Sequence, residues 1–419
     1  MSKSNLISVI ILLTSIHLYA QKKQVLFLGN SYTAVNNLPK MIADIALSTG
    51  DTLIFDSNTP GGYTLQGHST NSTSLSKIML GNWDNVILQE QSQLPSFGNN
   101  QVQLQVFPYA RLLDSLINQY NPCAETMFYM TWGRKNGDAA NCAVFPIVCT
   151  YNGMDSMLNL RYRMMADSNQ AVVSPVGAVW KYIRQNFPLI ELYQADESHP
   201  SLAGSYAAAC CFYAAIFRKN PALITDNYSL PATDADNIKA AAKAIVYDSL
   251  QNWHIGEYDP LADFNFNINN NTVTFNNNSV NATTYQWTFG DGSTASIASP
   301  VHTYINTGSY QATLTAMHCS TSHSITHTVN VSSVAAIPNI NQQQLINCYP
   351  NPADKFMWLK LNKHLLDQPY CITDLNGKTL LMGMAIDLNI KIDIEHLTEG
   401  IYILKMGNNA PQKFSIIRR

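Results

Sequence analysis

The chain has 419 residues, too many for one ordinary hydrophobic core, so roughly two to four domains are expected. Its 25 Lys and Arg against 28 Asp and Glu leave a formal net charge of -3 with no basic patch, which argues against nucleic acid as a partner. A charged fraction of only 13%, with abundant Asn, Gln, Ser and Thr, is in keeping with an extracellular bacterial protein.

Near the start of the sequence Lys3 precedes the apolar run "LISVIILLTSI", and "HLYA" follows it before Gln21. This reads as a signal peptide over residues 1–20, cut after Ala20. The run is shorter than the roughly 20 residues a spanning helix needs. No second long apolar run follows, so no transmembrane segment is predicted in the mature protein. Of the eight cysteines, Cys142 and Cys149 flank the short loop "CAVFPIVC" and are the first candidates for a disulfide. Cys210 and Cys211 lie in an apolar helical run and read as packed residues. No C-x-x-C with paired histidines occurs, and no metal or cofactor is predicted.

From 24 to about 252, apolar strand-like runs alternate with helical ones. "QVLFLG", "TLIFDSN", "NVILQEQ", "ETMFYMTW" and "QAVVSPVG" are the strands. Helices follow in "LPKMIADIALSTG", "FPYARLLDSLINQY", "MDSMLNLRYRMMADS", "AVWKYIRQN", "SYAAACCFYAAIFRK" and "DADNIKAAAKAIVYDSL". Continuous apolar strands alternating with helices predict an α/β domain, a parallel sheet covered on both faces, over residues 21–256.

After "EYDPLAD" the composition turns to Asn- and Thr-rich alternation. In "YQWTFGDGS", Tyr285, Trp287 and Phe289 share one face, and Asp291-Gly292 signals a hairpin turn rather than an ion site. W-x-F-G-D-G followed by H-T-Y and G-S-Y resembles a PKD domain, an immunoglobulin-like sandwich, over 262–333. A linker, "AAIPNINQQQ", leads to residues 345–419. There "YPNPA", a hairpin on Asn376-Gly377, "LTEGIY" and a basic end resemble the C-terminal sorting domain of type IX secretion cargo in Bacteroidetes. That resemblance implies handling by the type IX secretion machinery and export through the periplasm to the surface or the medium.

Chemistry is expected in the first domain. Ligands bind beyond the carboxyl ends of strands in open parallel sheets, and Ser31 directly follows the strand in "VLFLGNS". "DESHPSLAGS" places Asp196 three residues before His199, so one carboxylate can reach the imidazole of the same turn. A serine needs a base, and the base needs an orienting acid.

G-N-S-Y-T near the start and D-x-x-H-P-S at the end, with Ser201 and Gly204 following, resemble an SGNH (GDSL-like) hydrolase. The resemblance implies a flavodoxin-like three-layer fold and ester cleavage. Ser31 would be the nucleophile, His199 the base and Asp196 its orienter. "SNTPGGYTL" offers Gly62 as an oxyanion-hole donor. Asn30 stands where the family has Asp, and the third block, G-x-N-D, is absent. "VILQEQSQLP" occupies its place, with Gln91 at the position of the oxyanion-hole Asn and Gln89 as the alternative. Glu90 reads as solvated or structural. "MTWGRKNGD" brings Trp132 and Arg134 towards the same edge as substrate-binding candidates, with a buried core tryptophan as the competing reading of Trp132.

Together these imply an exported serine esterase, with acylated carbohydrate, acetyl esters first, as the favoured substrate. The alternatives are a lipase or thioesterase of the same superfamily, and a non-catalytic surface protein for carbohydrate binding or adhesion.

Overall fold

Val25, Leu26, Phe27 and Leu28 are all buried, as a strand covered on both faces requires. They end β1 (Lys22–Leu28), which lies beside β2 (Thr52–Asn58) and β3 (Asn85–Leu88). β4 (Glu125–Tyr129) and β5 (Val172–Ser174) complete a parallel sheet of order β2-β1-β3-β4-β5. The computed structural model describes residues 20–332, 346–407 and 411–418. Residues 1–19 of the predicted signal peptide and the predicted linker lie outside them.

Helices fill every crossover. α1 (Ser31–Ala34) and α2 (Leu38–Leu47) follow β1, and α3 (Leu65–Thr70) and α4 (Ser72–Ile78) follow β2. α5 (Asn99–Gln105) and α6 (Phe107–Tyr120) follow β3, and α7 (Tyr151–Asn169) follows β4. α8 (Val176–Asn186), α9 (Leu202–Phe217) and α10 (Ala232–Ile245) come after β5. α2, α8 and α10 pack against α9, while α3, α4, α5 and α7 pack against α6, giving the three layers the sequence predicts. α9 is apolar on every side and buried from Gly204 to Phe217, so it is the inner helix of its layer. α7 starts earlier than the apolar pattern suggests, at Tyr151, because the Thr150 side chain accepts from the Gly153 N–H and caps it.

The next module has seven strands: β6 (Phe264–Asn269), β7 (Thr272–Asn277), β8 (Thr284–Thr288), β9 (Thr294–Ala295), β10 (Val301–Thr303), β11 (Gly308–His318) and β12 (Thr321–Val331). They form two sheets, β10-β7-β6 and β12-β11-β8-β9, around Phe275, Trp287, Phe289 and Tyr304. Asp291 accepts from the Ser293 N–H and pairs with His302 at 2.7 Å, so it serves the turn.

The described residues from 346 onward belong to a separate compact unit. β13 (Ile346–Tyr349), β14 (Phe356–Leu361) and β17 (Asn389–Asp393) make one sheet. β15 (Pro369–Thr373), β16 (Thr379–Met384), β18 (Gly400–Met406) and β19 (Gln412–Ile416) make the other. Asn376-Gly377 does turn a hairpin: Gly377 has φ +86°, and Asp374 accepts from the Asn376 and Lys378 N–H groups.

Cys142 and Cys149 are bonded, as their spacing suggests, and Cys210 and Cys211 are free and buried. A second bridge was not legible in the sequence. Cys123, just before β4, is bonded to Cys319 in the turn between β11 and β12, 196 residues away. It staples the sandwich to the α/β domain, beside Arg218, which pairs with Asp259 and Glu125. A bridge closing so long a loop typically contributes about 2–4 kcal/mol. Replacing both cysteines by serine should lower the denaturation midpoint accordingly. Peptide mapping without reduction should recover Cys123 linked to Cys319, and two alkylatable thiols there would contradict the bridge.

Candidate active site

The chain direction after β1 and after β3 differs, since α2 joins the α9 layer and α6 the other. The gap between the carboxyl ends of these neighbouring strands is where such sheets hold ligands. Gly29-Asn30-Ser31 leaves β1 there, and Gln89-Glu90-Gln91 leaves β3.

Ser31 opens α1, with Asn30 as its N-cap: the Asn30 Oδ1 accepts from the Tyr32 N–H at 3.1 Å. Asn30 thus caps the turn that carries Ser31. Its Nδ2 donates to the Tyr63 C=O at 2.9 Å and ties the Gly61-Gly62 loop to the serine. Gln89 holds the other side. Its Oε1 accepts from the Asn30 N–H and the Thr33 hydroxyl, both at 2.9 Å, and its Nε2 donates to the Asn30 Oδ1 and the Glu90 C=O. The approach is so close that a Cβ on Gly29 would lie 2.6 Å from the Gln89 Oε1 and 2.5 Å from the Thr33 Oγ1. That answers why glycine precedes Asn30 at the strand end.

His199 sits in the loop between α8 and α9. Its Nε2 is 2.8 Å from the Ser31 Oγ, and its Nδ1 is hydrogen-bonded to the Asp196 Oδ2. The other Asp196 oxygen accepts from the Ser198 and His199 N–H groups at 3.1 and 2.9 Å, an Asx-type turn that locks acid and base together. Slight burial works against the charged carboxylate, but the His199 and Ser198 hydrogen bonds prevail and hold Asp196 below the usual range. A carboxylate on Nδ1 leaves Nε2 facing the serine hydroxyl, the arrangement general-base activation requires.

Trp132 is fully buried, which corrects its expected place in a substrate-binding wall. Its faces are taken by Trp180 at 3.7 Å and Tyr32 at 4.7 Å, both nearly parallel. Its indole N–H donates to the Ser198 C=O at 3.1 Å, and the Tyr32 hydroxyl meets the Ser198 Oγ at 2.6 Å. The stack therefore braces the His199 loop from behind. Arg134 is half-buried, with Nη1 3.2 Å from the enclosed Asp138 carboxylate. Asp138 also accepts from Gln93 at 2.8 Å and so joins the disulfide-closed loop to the Gln91 turn.

The two glutamines differ. Gln89 has no exposed surface and its amide is committed to Asn30, so it has no hydrogen to give a substrate. Gln91 is half-buried, and its Oε1 is fixed by the Gln93 and Leu94 N–H groups at 2.8 and 3.0 Å. One Nε2 hydrogen goes to the Gln93 Oε1 at 2.9 Å, which leaves the second with only a 3.5 Å contact to the Ser92 Oγ. Gly62 has φ +69° in an exposed turn, where a glycine is favoured. Among the described residues, neither the Ser31 nor the Gly62 N–H donates to a protein acceptor.

Residue-by-residue reading missed His68. It is fully buried on α3, its Nε2–H donates to the Gly29 C=O at 2.9 Å, and its Nδ1 accepts from the Ser74 hydroxyl at 2.8 Å. A carbonyl only accepts, so the ring is the neutral Nε2–H tautomer. Glu90, read as solvated or structural, is also fully buried.

Comparisons with known proteins divide along the chain. Residues 260–332 match the PKD domain family, and residues 347–417 match the secretion system C-terminal sorting domain family. Those two segments are a PKD domain and a type IX sorting domain, and the latter marks the chain for export to the surface or the medium. No curated protein matches the chain. Among solved structures, it is similar to a DUF4886 family protein from Bacteroides uniformis, at 17% identity over 55% of this chain and 95% of that one, with a TM-score of 0.47. It is also similar to a lipase/acylhydrolase from Enterococcus faecalis, at 14% identity over 46% of this chain and 95% of that one, with a TM-score of 0.34. The PKD1 domain of the Vibrio cholerae metalloprotease PrtV is 32% identical over 17% of this chain and 96% of that domain, with a TM-score of 0.17.

Burial pushes His68 down to about 4, against the Gly29 hydrogen bond, which raises it. The folded value lies below the unfolded one, so the unfolded chain binds more protons between them and stability falls as pH drops from about 6.5 to about 4. The loss attributable to His68 is about 3 kcal/mol. In denaturant titrations, His68→Gln should be less stable than the native protein at pH 7 and lose less on acidification. Parallel stability profiles would contradict this.

Proposed function

We propose that the α/β domain is an exported serine esterase that hydrolyses carboxylic esters, with acyl groups on carbohydrate, acetyl first, as its substrates. The observation that carries this is the Ser31 Oγ at 2.8 Å from the His199 Nε2, with Asp196 on the opposite ring nitrogen. Three residues brought from the two ends of the domain meet in the one order that activates a hydroxyl.

In this reading His199 takes the Ser31 proton as Oγ attacks the ester carbonyl. The tetrahedral oxyanion is held by the Ser31 and Gly62 N–H groups and the Gln91 amide. His199 then protonates the leaving alcohol, and the same imidazole draws a proton from water for deacylation. Asp196 stabilises the imidazolium formed in each half-reaction. The carbohydrate assignment rests on the resemblance to SGNH hydrolases and on the attached PKD domain.

Ser31→Ala and His199→Ala should each abolish hydrolysis of short-chain aryl esters and acetylated oligosaccharides while unfolding cooperatively. Members of one catalytic unit are far from additive, so the double variant should be little slower than either single one. Near-normal turnover by Ser31→Ala would refute the reading. A panel of acetylated sugars against longer acyl esters separates the carbohydrate substrate from a lipase or thioesterase.

Removing one oxyanion donor typically costs about 3 kcal/mol, or roughly a hundredfold in turnover. Gln91→Ala should therefore lower kcat strongly at nearly constant KM, because the bond forms fully only with the tetrahedral oxyanion. If kcat held and KM rose, Gln91 would bind ground-state substrate instead.

A further inference from the structure

One buried ionisable side chain at the carboxyl edge of the sheet has no part in this mechanism. Glu90 has no exposed surface, and its carboxyl reaches two loops at once. Oε1 accepts from the Gln91 N–H at 2.6 Å. The Leu65 N–H, at the start of α3, donates to Oε1 at 3.2 Å and to Oε2 at 3.3 Å. Leu65 lies three residues beyond Gly62, so the two donors to Glu90 belong to the two segments that carry the proposed Gly62 and Gln91 oxyanion donors.

We propose that Glu90 is a positioning residue for ester hydrolysis, a single carboxyl that clamps the Gly62 loop to the Gln91 turn and fixes the spacing of the two oxyanion donors outside the nucleophile's own backbone. The inference rests on the esterase reading above. A hole formed by separate loops works only if its donors are held before the oxyanion appears. The Gly62 loop is also tied to the Ser31 segment, through Tyr63 and Asn30, and among the described residues no other hydrogen bond ties it to the Gln91 turn. A helix start and a strand exit both leave N–H groups without backbone partners, and one carboxyl accepting both satisfies them together.

The surroundings decide its charge. From α7, the Tyr162 hydroxyl accepts from the Glu90 N–H at 3.3 Å, and just after β3 the neutral Gln89 amide donates to the Glu90 C=O at 2.6 Å. No Lys, Arg or His pairs with Glu90 among the described residues. Burial pushes the carboxyl up to about 8, against the Gln91 and Leu65 N–H bonds, which pull it down. Near pH 7 the clamp is therefore mostly a neutral acid, accepting both N–H groups without placing charge behind the oxyanion. Above about pH 8 it ionises, and the new negative charge opposes the oxyanion.

The test uses the full chain, with Glu90→Ala and Glu90→Gln compared in two measurements: ester kinetics across pH, and amide hydrogen exchange. Glu90→Ala should lower kcat by about tenfold with KM nearly unchanged, and speed exchange at Leu65 and Gln91. Glu90→Gln should restore kcat near pH 7 to within about threefold, keep both amides protected, and lack the alkaline fall in kcat that the native enzyme shows near pH 8. Unchanged exchange at both amides in Glu90→Ala, or the same alkaline fall in Glu90→Gln, would overturn the proposal. If Glu90→Ala does not fold, the pH profile of Glu90→Gln decides. If the native protein shows no Ser31-dependent turnover, the esterase reading fails on its own, and the exchange data alone uphold or refute the clamp.

Discussion

In a parallel sheet, each crossover must leave the carboxyl end of its strand towards one helical layer or the other. With β1 and β3 adjacent and their crossovers leaving for opposite layers, the chain parts between them and opens a crevice that no backbone fills. Every element of the candidate site hangs on that constraint. Ser31 is the third residue after β1, and Gln91 the third after β3. The Gly62 loop follows β2, on the far side of β1, and is drawn in by the bond from Asn30 to the Tyr63 C=O. The His199 loop arrives from beyond the last strand, against the aromatic stack of Tyr32, Trp132 and Trp180.

Around the crevice, neutral hydrogen bonds set positions and few charges are used. Gln89, Asn30 and Thr33 interlock without a formal charge, and His68 holds the Gly29 carbonyl as a neutral ring. Burying neutral groups costs far less than burying ions, provided each finds a partner, as Gln89, Asn30, Thr33 and His68 do. The Asp196 carboxylate, hydrogen-bonded to His199, stays at the partly exposed rim, where water shares the cost of its charge. The surroundings of Ser31 are thus low in charge.

The fold was legible because its signals are repeated. Five apolar runs separated by helical ones leave little besides a covered parallel sheet, and the β modules carry turn motifs of fixed chemistry. Asp196 and His199 were legible as a pair from their three-residue spacing, and Ser31 from its place just after β1, while the meeting of all three depends on the fold. What escaped the sequence depends on long-range packing. A tryptophan after a strand reads the same whether it faces substrate or, like Trp132, lies between two other rings. Glu90 between two glutamines looks like solvated surface, because the apolar run stops at Leu88 and nothing local says that the start of α3 will meet it. Cys123 and Cys319 lie in different domains, so no spacing rule connects them. Gln89 and Gln91 are the same residue two positions apart. Only the partners each finds, Asn30 for one and the Gln93 turn for the other, tell the buried clasp from the available donor.

The central claim is that Ser31 is an activated nucleophile. A fluorophosphonate forms a covalent adduct only with such a hydroxyl, and intact-mass measurement with peptide mapping shows where. The account predicts stoichiometric labelling of the full chain at Ser31, lost in His199→Ala although the hydroxyl remains. An unlabelled native protein, an adduct on another serine, or equal labelling without His199 would contradict it.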